Sequence, residues 1–375
     1  MKVVIISQNC FPYINPRSNR ATELAKEFAQ QGHNVILYAL LGDCNYDSFS
    51  LETKISVRNL GVSKYGLEDN AQHKVRNMLF KTFEKFLGRY FDFPKCELKN
   101  MTYRALKTER TADILVTIAH PHTIHWGAAK YIKRYPNTIK TWIADCGDPY
   151  MLNPHVHYPW YFEYVEKGWC RLCDFITVPI EEARNAYYPE FSDKIRVIPQ
   201  GFDFESNRLA EYKPNRVPTF AFSGIFYEKL RDPHAFLDYL CNIEKDFKFV
   251  LYIKDTPYYR SAFHLNEYQQ KLGDRLEIHD FVPRSELLFE LSKMDFLINI
   301  RNVSGVQQPS KLIDYALTRR PILEITSGFN EKPVFDQFLE GNYDNQIIVE
   351  NLERYDVRNI VKQMISLSEK DEKNS

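Results

Sequence analysis

Short apolar runs alternate with helical patterns along most of the chain. Each run is long enough for a buried strand and too short for a helix. After the first run, apolar residues recur at helical spacing, with Ala21, Leu24, Ala25 and Phe28 on one face. The predicted buried strands cover residues 2–7, 33–38, 113–119, 140–144 and 175–178 in the first half of the chain, and residues 219–222, 247–253, 276–278, 296–300 and 322–325 in the second half.

Two successive series of strands and helices predict two doubly wound, Rossmann-like α/β domains that face a cleft. A polar stretch at residues 204–217 separates the two series, so we expect a first domain at residues 1–203 and a second at residues 204–354. In sheets of this kind, ligands bind outside the carboxyl ends of the strands. The polar residues that follow each strand are therefore the candidate site residues.

Charge and composition exclude several classes of protein. Lys plus Arg and Asp plus Glu both number 49, and this balance argues against a nucleic-acid binder with a basic surface. No run approaches the roughly 20 apolar residues of a membrane span. Met1 leads directly into the first strand pattern without a signal-peptide layout, so we expect a cytoplasmic protein. The seven scattered cysteines indicate reduced thiols rather than a disulfide framework.

The strand–loop–helix–strand unit at residues 296–325 is the strongest candidate for binding an anion. Pro309 stands at the start of its helical pattern, directly after a buried strand and a polar loop. Free backbone N–H groups and the positive end of the helix dipole lie at such a helix start. Ser310 adds a hydroxyl donor and Lys311 adds a full positive charge. The unit is typical of phosphate binding.

The stretch PSKLIDYALTRRPIL, at residues 309–323, resembles the P-x-K-x-x-E-x-x-A-x-G-x-P-V segment of family 4 glycosyltransferases with the GT-B fold. The resemblance implies that Ser310 and Lys311 hold the diphosphate of a nucleotide-sugar donor, and that Asp314 binds its ribose hydroxyls. The chain departs from the family pattern twice. Val306 stands where the family has a first glutamate, and Arg320 replaces a glycine. The Val306 departure makes a catalytically silent protein the alternative to an active one.

The resemblance continues in order along the chain and implies further contacts with the donor. In the first loop the family often has a Gly-Gly pair that touches the donor phosphate, and here Arg17 or Arg20 could supply that contact. A solvated arginine at a helix start is the alternative. Gly224 follows the strand at residues 219–222, and a residue without a side chain lets the backbone approach a ligand, although a plain tight turn is equally consistent.

Other donor contacts follow from the same resemblance. The basic pair Lys229 and Arg231 would neutralise the diphosphate leaving group. Backbone groups at Phe281 and Val282 would meet the base. A final segment at residues 355–375 would form a helix that crosses back onto the first domain.

Candidate acceptor-site residues follow two strands of the first domain. His120 and His122 stand where the strand at residues 113–119 opens into a helix, and Asp148 follows the strand at residues 140–144. The resemblance places a histidine that contacts donor or acceptor near the first position, and an acidic D-x-x-D-P segment near the second. A carboxylate there could bind acceptor hydroxyls or act as a base; it could equally cap its loop.

Two further hypotheses rest on spacing. The residues His155, His157, Cys170 and Cys173 form an H-x-H and C-x-x-C set that could bind zinc, although cysteine is also a common buried residue. Residues 74–90 form an amphipathic pattern whose basic stripe, Lys81, Lys85 and Arg89, could contact the inner membrane leaflet. A packed helix with a solvated outer face is the alternative.

The predicted function is transfer of a sugar from a nucleotide-diphosphate donor, with UDP favoured, to a hydroxyl of a glycan or lipid-linked acceptor. The resemblance implies a retaining, family 4-like hexosyltransferase of cell-surface polysaccharide synthesis. No D-x-D pair follows a strand, so we expect no cofactor and no obligatory metal. The alternatives are a catalytically silent nucleotide-sugar-binding protein and a GT-B epimerase or hydrolase. A dehydrogenase is disfavoured because no G-x-G-x-x-G follows the first strand.

Overall fold

The structure is a computed structural model that describes residues 1–13, 15–65, 67, 78–153, 156–205, 207–228, 230–301 and 310–371, without the side chains of residues 78–84, 310, 370 and 371. The chain forms two compact units. The first comprises Met1–Phe202 together with the carboxyl-terminal segment that begins at Arg354, and the second comprises Asp203–Glu353.

In the described residues, the first unit is built on a seven-stranded parallel sheet with the order β3-β2-β1-β4-β5-β6-β7. Its strands are β1 (Lys2–Ile6), β2 (Asn34–Ala39), β3 (Ser56–Asn59), β4 (Ala112–Ala119), β5 (Ile139–Cys146), β6 (Phe175–Val178) and β7 (Ile195–Val197). Its helices are α1 (Pro16–Gln30), α2 (Asp47–Thr53), α3 (Met78–Phe91), α4 (Glu97–Glu109), α5 (Thr123–Arg134), α6 (Phe162–Leu172) and, at the end of the chain, α13 (Val357–Asp371).

Both faces of the sheet are buried at the strands β1, β2 and β4, which explains why these strands are nearly continuous apolar runs. Successive residues of β1 point to opposite faces, so Val4 joins one core cluster and Val3 joins the other. The second cluster also receives α13, through Ile360, Val361 and Met364. The carboxyl-terminal helix therefore belongs to the core of the first unit.

The described part of the second unit has a five-stranded parallel sheet with the order β10-β9-β8-β11-β12. Its strands are β8 (Thr219–Ser223), β9 (Lys248–Tyr252), β10 (Leu276–His279), β11 (Phe296–Ile300) and β12 (Ile322–Ile325). Its helices are α7 (His234–Asn242), α8 (Pro257–Ala262), α9 (Leu265–Leu272), α10 (Arg284–Leu291), α11 (Ser310–Leu317) and α12 (Lys332–Leu339).

A column of phenylalanine rings ties the middle strands of the second sheet together. The ring of Phe220 on β8 stacks at 4.9 Å from Phe249 on β9 and at 4.7 Å from Phe296 on β11. Such cross-strand aromatic contacts stabilise the sheet beyond the area they bury. The two Rossmann-like units confirm the predicted fold class.

The direction of winding reverses once in each sheet, between β1 and β4 in the first and between β8 and β11 in the second. A crevice opens at such a point, outside the carboxyl ends of the two strands, and this is where α/β proteins bind ligands. Both candidate sites lie at these positions. None of the helices in the described part of the chain combines the length and apolar character that a membrane span requires.

Two glycines inside helices give opposite predictions for the same substitution. A Cβ at Gly127, in α5, would lie 2.5 Å from the carbonyl oxygen of Lys99 and from Cβ of Thr102 in α4, whereas a Cβ at Gly168, in α6, would meet no atom within 4 Å. We expect Gly127→Ala to destabilise the first unit by about 1–3 kcal/mol through overpacking. Gly168→Ala should stabilise it by up to about 1 kcal/mol through helix propensity.

Tryptophan fluorescence during denaturation measures both effects, because all four tryptophans lie in the first unit. Equal midpoints for the two variants would contradict the close packing of α4 on α5.

Candidate functional site

The carboxyl ends of β8 and β11 carry the candidate anion site of the second unit. Gly224, which follows β8, has a φ of +136°, a conformation that favours glycine. Helix α11 begins beside it and is held there by Tyr315. The Tyr315 hydroxyl accepts a hydrogen bond of 2.7 Å from the backbone N–H of Ser223 and lies 3.2 Å from the carbonyl oxygen of the same residue. The first turn of α11 is thereby fixed against the end of β8.

Lys311 extends from this first turn into a position where its charge is poorly compensated. Its ammonium nitrogen is buried and has no hydrogen-bond partner in the described part of the chain. The nitrogen lies 4.5 Å from the ring centroid of Phe222, a weak cation–π contact. Burial, together with the positive charge of Arg231, lowers the pKa of Lys311 to about 7, while Glu324 opposes this shift.

Arg231 is the second cation of the site. Its guanidinium lies 5.1 Å from the ring centroid of Tyr227, and its Nε is buried without a hydrogen-bond partner among the described residues. Glu324, the nearby anion, already accepts a hydrogen bond of 2.9 Å from Asn299 and lies 3.5 Å from Arg301. Desolvated positive charge without a paired anion is costly. A bound anion at the start of α11 would remove that cost.

Asp314 lies one turn further along α11 and is paired with Arg284 at the start of α10. Nε and Nη2 of Arg284 each lie 2.8 Å from Oδ1 of Asp314. Burial raises the pKa of Asp314, and the charge of Arg284 opposes that rise. The pair holds a carboxylate in place at the same end of the sheet as Lys311.

The predicted base-contacting residues lie just before α10. Phe281 is exposed, and its backbone N–H donates a 2.8 Å hydrogen bond to the carboxylate of Asp280. Val282 packs against the core cluster that contains Tyr315. The structure thus brings Gly224, Arg231, Lys311 and Asp314 to one end of the second sheet.

The first unit places Arg17 and His120 at its own switch point. Arg17, in the first turn of α1, lies directly over Gly147, where any Cβ would be 1.8 Å from the guanidinium carbon. His120 Nε2 lies 2.7 Å from the ammonium nitrogen of Lys95. Because an ammonium only donates, Nε2 accepts and the imidazole proton is on Nδ1. Burial, Lys95 and Arg17 lower the pKa of His120 to about 4, so the ring is neutral at neutral pH.

His122 and Asp148 are linked through the backbone rather than through the carboxylate. His122 is buried, and its Nε2 lies 3.0 Å from the carbonyl oxygen of Asp148. The side chain of Asp148 is exposed. The nearby Asp145 is buried in an ion pair with Arg20 at 2.8 Å, and it accepts a hydrogen bond from Thr177. Asp145 is therefore part of the core rather than a free base.

Several predicted residues lie outside the described residues or apart from these two clusters. The described residues do not include Lys229, Val306 and His155, nor the side chains of Ser310 and Lys81. Lys85 and Arg89 are exposed on α3. His157 is exposed, whereas Cys170 and Cys173 are buried, and these three residues do not come within metal-binding reach of one another.

Sequence reasoning missed three residues that shape the sites: Lys95, Arg284 and Tyr315. Lys95 is 25 residues from His120 and Arg284 is 30 residues from Asp314, so no local pattern joins them. Tyr315 stands among apolar residues of α11, and this pattern gives no sign of the hydrogen bond between its hydroxyl and Ser223.

Comparison with solved structures identifies the fold. No protein-family model matches the sequence, and no curated protein matches it. Solved structures match over nearly the full length. HepE of Anabaena in complex with UDP and glucose is 12% identical with a TM-score of 0.59, covering 98% of both chains. A glycosyltransferase from Rickettsia africae is 11% identical with a TM-score of 0.63, covering 100% of this chain and 99% of that one.

A mutant of S. aureus TarM, in complex with fondaparinux, alpha-GlcNAc-glycerol and UDP, is 9% identical with a TM-score of 0.58, covering 98% of this chain and 99% of that one. At sequence identities of 9–12%, the similarity to these structures shows the fold alone. The chain has the GT-B fold of these glycosyltransferases, as its sequence predicts.

The uncompensated charge of Lys311 predicts a variant that is more stable than the wild type. Without ligand, Lys311→Met should raise the free energy of unfolding by roughly 1–4 kcal/mol below about pH 7, because it removes a buried charge. The pKa of Lys311 is about 7 in the fold against an ordinary 10.5, so the unfolded chain binds more protons between these values and wild-type stability rises with pH there. The difference in unfolding free energy between Lys311→Met and the wild type should therefore decrease as the pH rises.

Denaturation followed by circular dichroism at about pH 6 and about pH 9 measures this change, since the tryptophans do not report on the second unit. Lys332→Met is the matched control, because Lys332 also begins a helix of the second unit but is exposed. A Lys311→Met variant that is less stable than the wild type at both pH values would contradict the burial of an uncompensated charge.

Proposed function

We propose that the protein is a glycosyltransferase that moves a sugar from a nucleoside-diphosphate donor, a UDP-sugar, to a hydroxyl of a glycan or lipid-linked acceptor. The observation that carries the proposal is the buried ammonium of Lys311, which stands beside Arg231 at the start of α11 without a hydrogen-bonding anion in the described residues. A diphosphate supplies the negative charge that this position lacks.

The charge of the site suits the step that breaks the donor. When the bond between the anomeric carbon and the β-phosphate oxygen breaks, negative charge accumulates on the departing nucleoside diphosphate. Fixed cations stabilise that charge most where water is excluded. Lys311 and Arg231 are in such a position, and Lys229 would extend the same cluster. We therefore expect the step to need no metal cofactor, because side chains supply the positive charge.

The remaining donor contacts of the proposal lie in the second unit. The carboxylate of Asp314, held by Arg284, can accept hydrogen bonds from two ribose hydroxyls. The conformation of Gly224 leaves the backbone open to the diphosphate next to Lys311. Ser310 would add its hydroxyl, and the segment of Phe281 and Val282 would contact the base.

For the acceptor we propose the switch point of the first unit. The neutral ring of His120 has its proton on Nδ1 and can donate a hydrogen bond to an acceptor oxygen. The exposed carboxylate of Asp148 can accept the proton of an acceptor hydroxyl. His122 orients the Asp148 backbone, and Arg17 contributes positive charge beside Gly147.

Retention of anomeric configuration, membership of family 4, a hexosyl donor and a role in cell-surface polysaccharide synthesis rest on the sequence resemblance and are part of the proposal. UDP is supported as the donor nucleotide by the structures of HepE and TarM, which were determined with UDP. Exposed Lys85, Phe86, Arg89 and Tyr90 on α3 would suit contact with an anionic membrane surface on the cytoplasmic side.

Titration calorimetry with UDP, GDP, ADP and dTDP tests the donor site. We expect UDP to bind, and Lys311→Met to weaken binding by roughly 10–150-fold, because a hydrogen bond to a charged group contributes about 1.5–3 kcal/mol. Lys332→Met should bind like the wild type. Equal affinity in Lys311→Met and wild type, or no binding of any nucleotide, would overturn the proposed site.

Release of UDP from UDP-sugars, with and without a panel of glycan acceptors, then separates the remaining functions. Acceptor-dependent release supports a transferase. Release without acceptor would indicate a hydrolase instead, and binding without any turnover would indicate a silent binding protein.

A further inference from the structure

A second cluster of polar side chains lies buried at the end of β5 and the start of α5. His122, His125 and Cys146 are 1%, 0% and 2% exposed, respectively. Each offers one potential ligand atom, and these atoms all lie within 4.8 Å of one another. The set differs from the zinc hypothesis drawn from sequence spacing, because it joins an H-x-x-H pair to a cysteine on a neighbouring strand.

The hydrogen bond of His122 fixes which of its nitrogens is free to bind an ion. A carbonyl oxygen only accepts, so Nε2 of His122 must carry the proton that it shares with Asp148 at 3.0 Å. Nδ1 then has an unshared electron pair. It is buried and has no hydrogen-bond partner in the part of the chain that the structure describes.

A contact through Nδ1 orients the ring of His125, and Nε2 faces the cluster. Its Nδ1 lies 2.7 Å from Oγ1 of Thr117, which also accepts a hydrogen bond of 2.8 Å from the indole N–H of Trp142. Its Nε2 faces Cys146, with 3.4 Å between the nitrogen and Sγ. Nitrogen and sulfur ligands of a tetrahedral zinc ion stand roughly 3.5 Å apart, given bonds of about 2.0 and about 2.3 Å.

We propose that this cluster is a zinc site in which Nδ1 of His122, Nε2 of His125 and Sγ of Cys146 are the protein ligands. Imidazole and thiolate are the ligands that zinc prefers. Metal-binding histidines usually donate their second N–H to a carbonyl, hydroxyl or carboxylate. The Asp148 carbonyl and the Thr117 hydroxyl occupy these positions. A water or small ligand would complete the tetrahedron.

The charge of the cluster can be balanced inside the unit. On binding, the Cys146 thiol releases its proton to solvent and the thiolate cancels one of the two positive charges of the ion. Glu166, which is buried and has one carboxylate oxygen without a hydrogen-bond partner among the described residues, is within electrostatic reach of Cys146. The site would tie α5 to β5 and would hold, through His122, the loop that carries Asp148.

The first test uses the reduced full-length wild-type protein. After equilibrium dialysis against Zn²⁺, elemental analysis should find about one zinc ion per chain. With Co²⁺ in place of Zn²⁺, the visible and near-ultraviolet spectrum should show tetrahedral d–d bands together with a thiolate-to-cobalt charge-transfer band. A metal-free S–H···N hydrogen bond between Cys146 and His125 is the alternative, and a spectrum without the charge-transfer band would establish it and overturn the proposal.

Variants identify the ligands. Cys146→Ser should remove the charge-transfer band, and His125→Gln should lower the zinc content of the dialysed protein at least 10-fold. Cys170→Ser is the matched control, because Cys170 is an equally buried thiol of the same core cluster that lies outside the proposed set, and it should keep both signals. Loss of the signals in Cys170→Ser but not in Cys146→Ser would overturn the assignment.

The zinc site is independent of the donor site, and a further variant keeps the two apart. Lys311→Met should bind zinc like the wild type, whether or not it binds UDP. Failure of zinc binding would leave the nucleotide experiments unaffected.

Discussion

A buried ammonium group, which has no hydrogen-bonding anion among the described residues, is the constraint on which the second unit depends. Lys311 is held in the first turn of α11, its nitrogen against the ring of Phe222, and its charge is opposed by that of Arg231. An apolar residue in place of Lys311 would make the second unit more stable. The buried charge therefore lowers the stability of the unit, and a bound anion can offset this loss. The helix start and the glycine after β8 favour the same ligand.

The topology of the sheets determines where the buried ammonium group and the other candidate site residues lie. In each parallel sheet the winding reverses beside the first strand, and the loops after the two central strands diverge there. In the second unit this point receives Gly224 and the start of α11. In the first unit it receives His120 and, in the first turn of α1, Arg17, which lies over Gly147. The aromatic core of the second sheet and helix α13 of the first unit stabilise these positions. Neither is part of the candidate sites.

The sequence predicted the parts of this arrangement that depend on local pattern. Strands buried on both faces read as apolar runs, and the phosphate-binding character of α11 follows from a helix start next to Lys311. The apolar pattern does not fix the helix starts: α1 begins at Pro16, five residues before the first apolar position, because Asn15 caps the backbone N–H groups of Arg17 and Ser18.

Contacts between distant segments could not be predicted. The ion pair of Arg284 with Asp314 and the hydrogen bond of Lys95 with His120 join segments that share no sequence pattern. The same limit applies to the metal hypothesis. Spacing singled out an H-x-H and C-x-x-C set, whose described members His157, Cys170 and Cys173 do not come within metal-binding reach of one another. The cluster of His122, His125 and Cys146 is assembled only when β5 lies beside the start of α5.

The most direct measurement of the central claim is the proton uptake that accompanies UDP binding, obtained by calorimetry in buffers of different ionisation enthalpy at about pH 8. Free Lys311, with a pKa of about 7, is mostly neutral there, and a bound diphosphate favours the charged form. The proposed donor site predicts uptake of about one proton in the wild type and none in Lys311→Arg, whose guanidinium stays charged. UDP binding without proton uptake, or with equal uptake in both proteins, would contradict it.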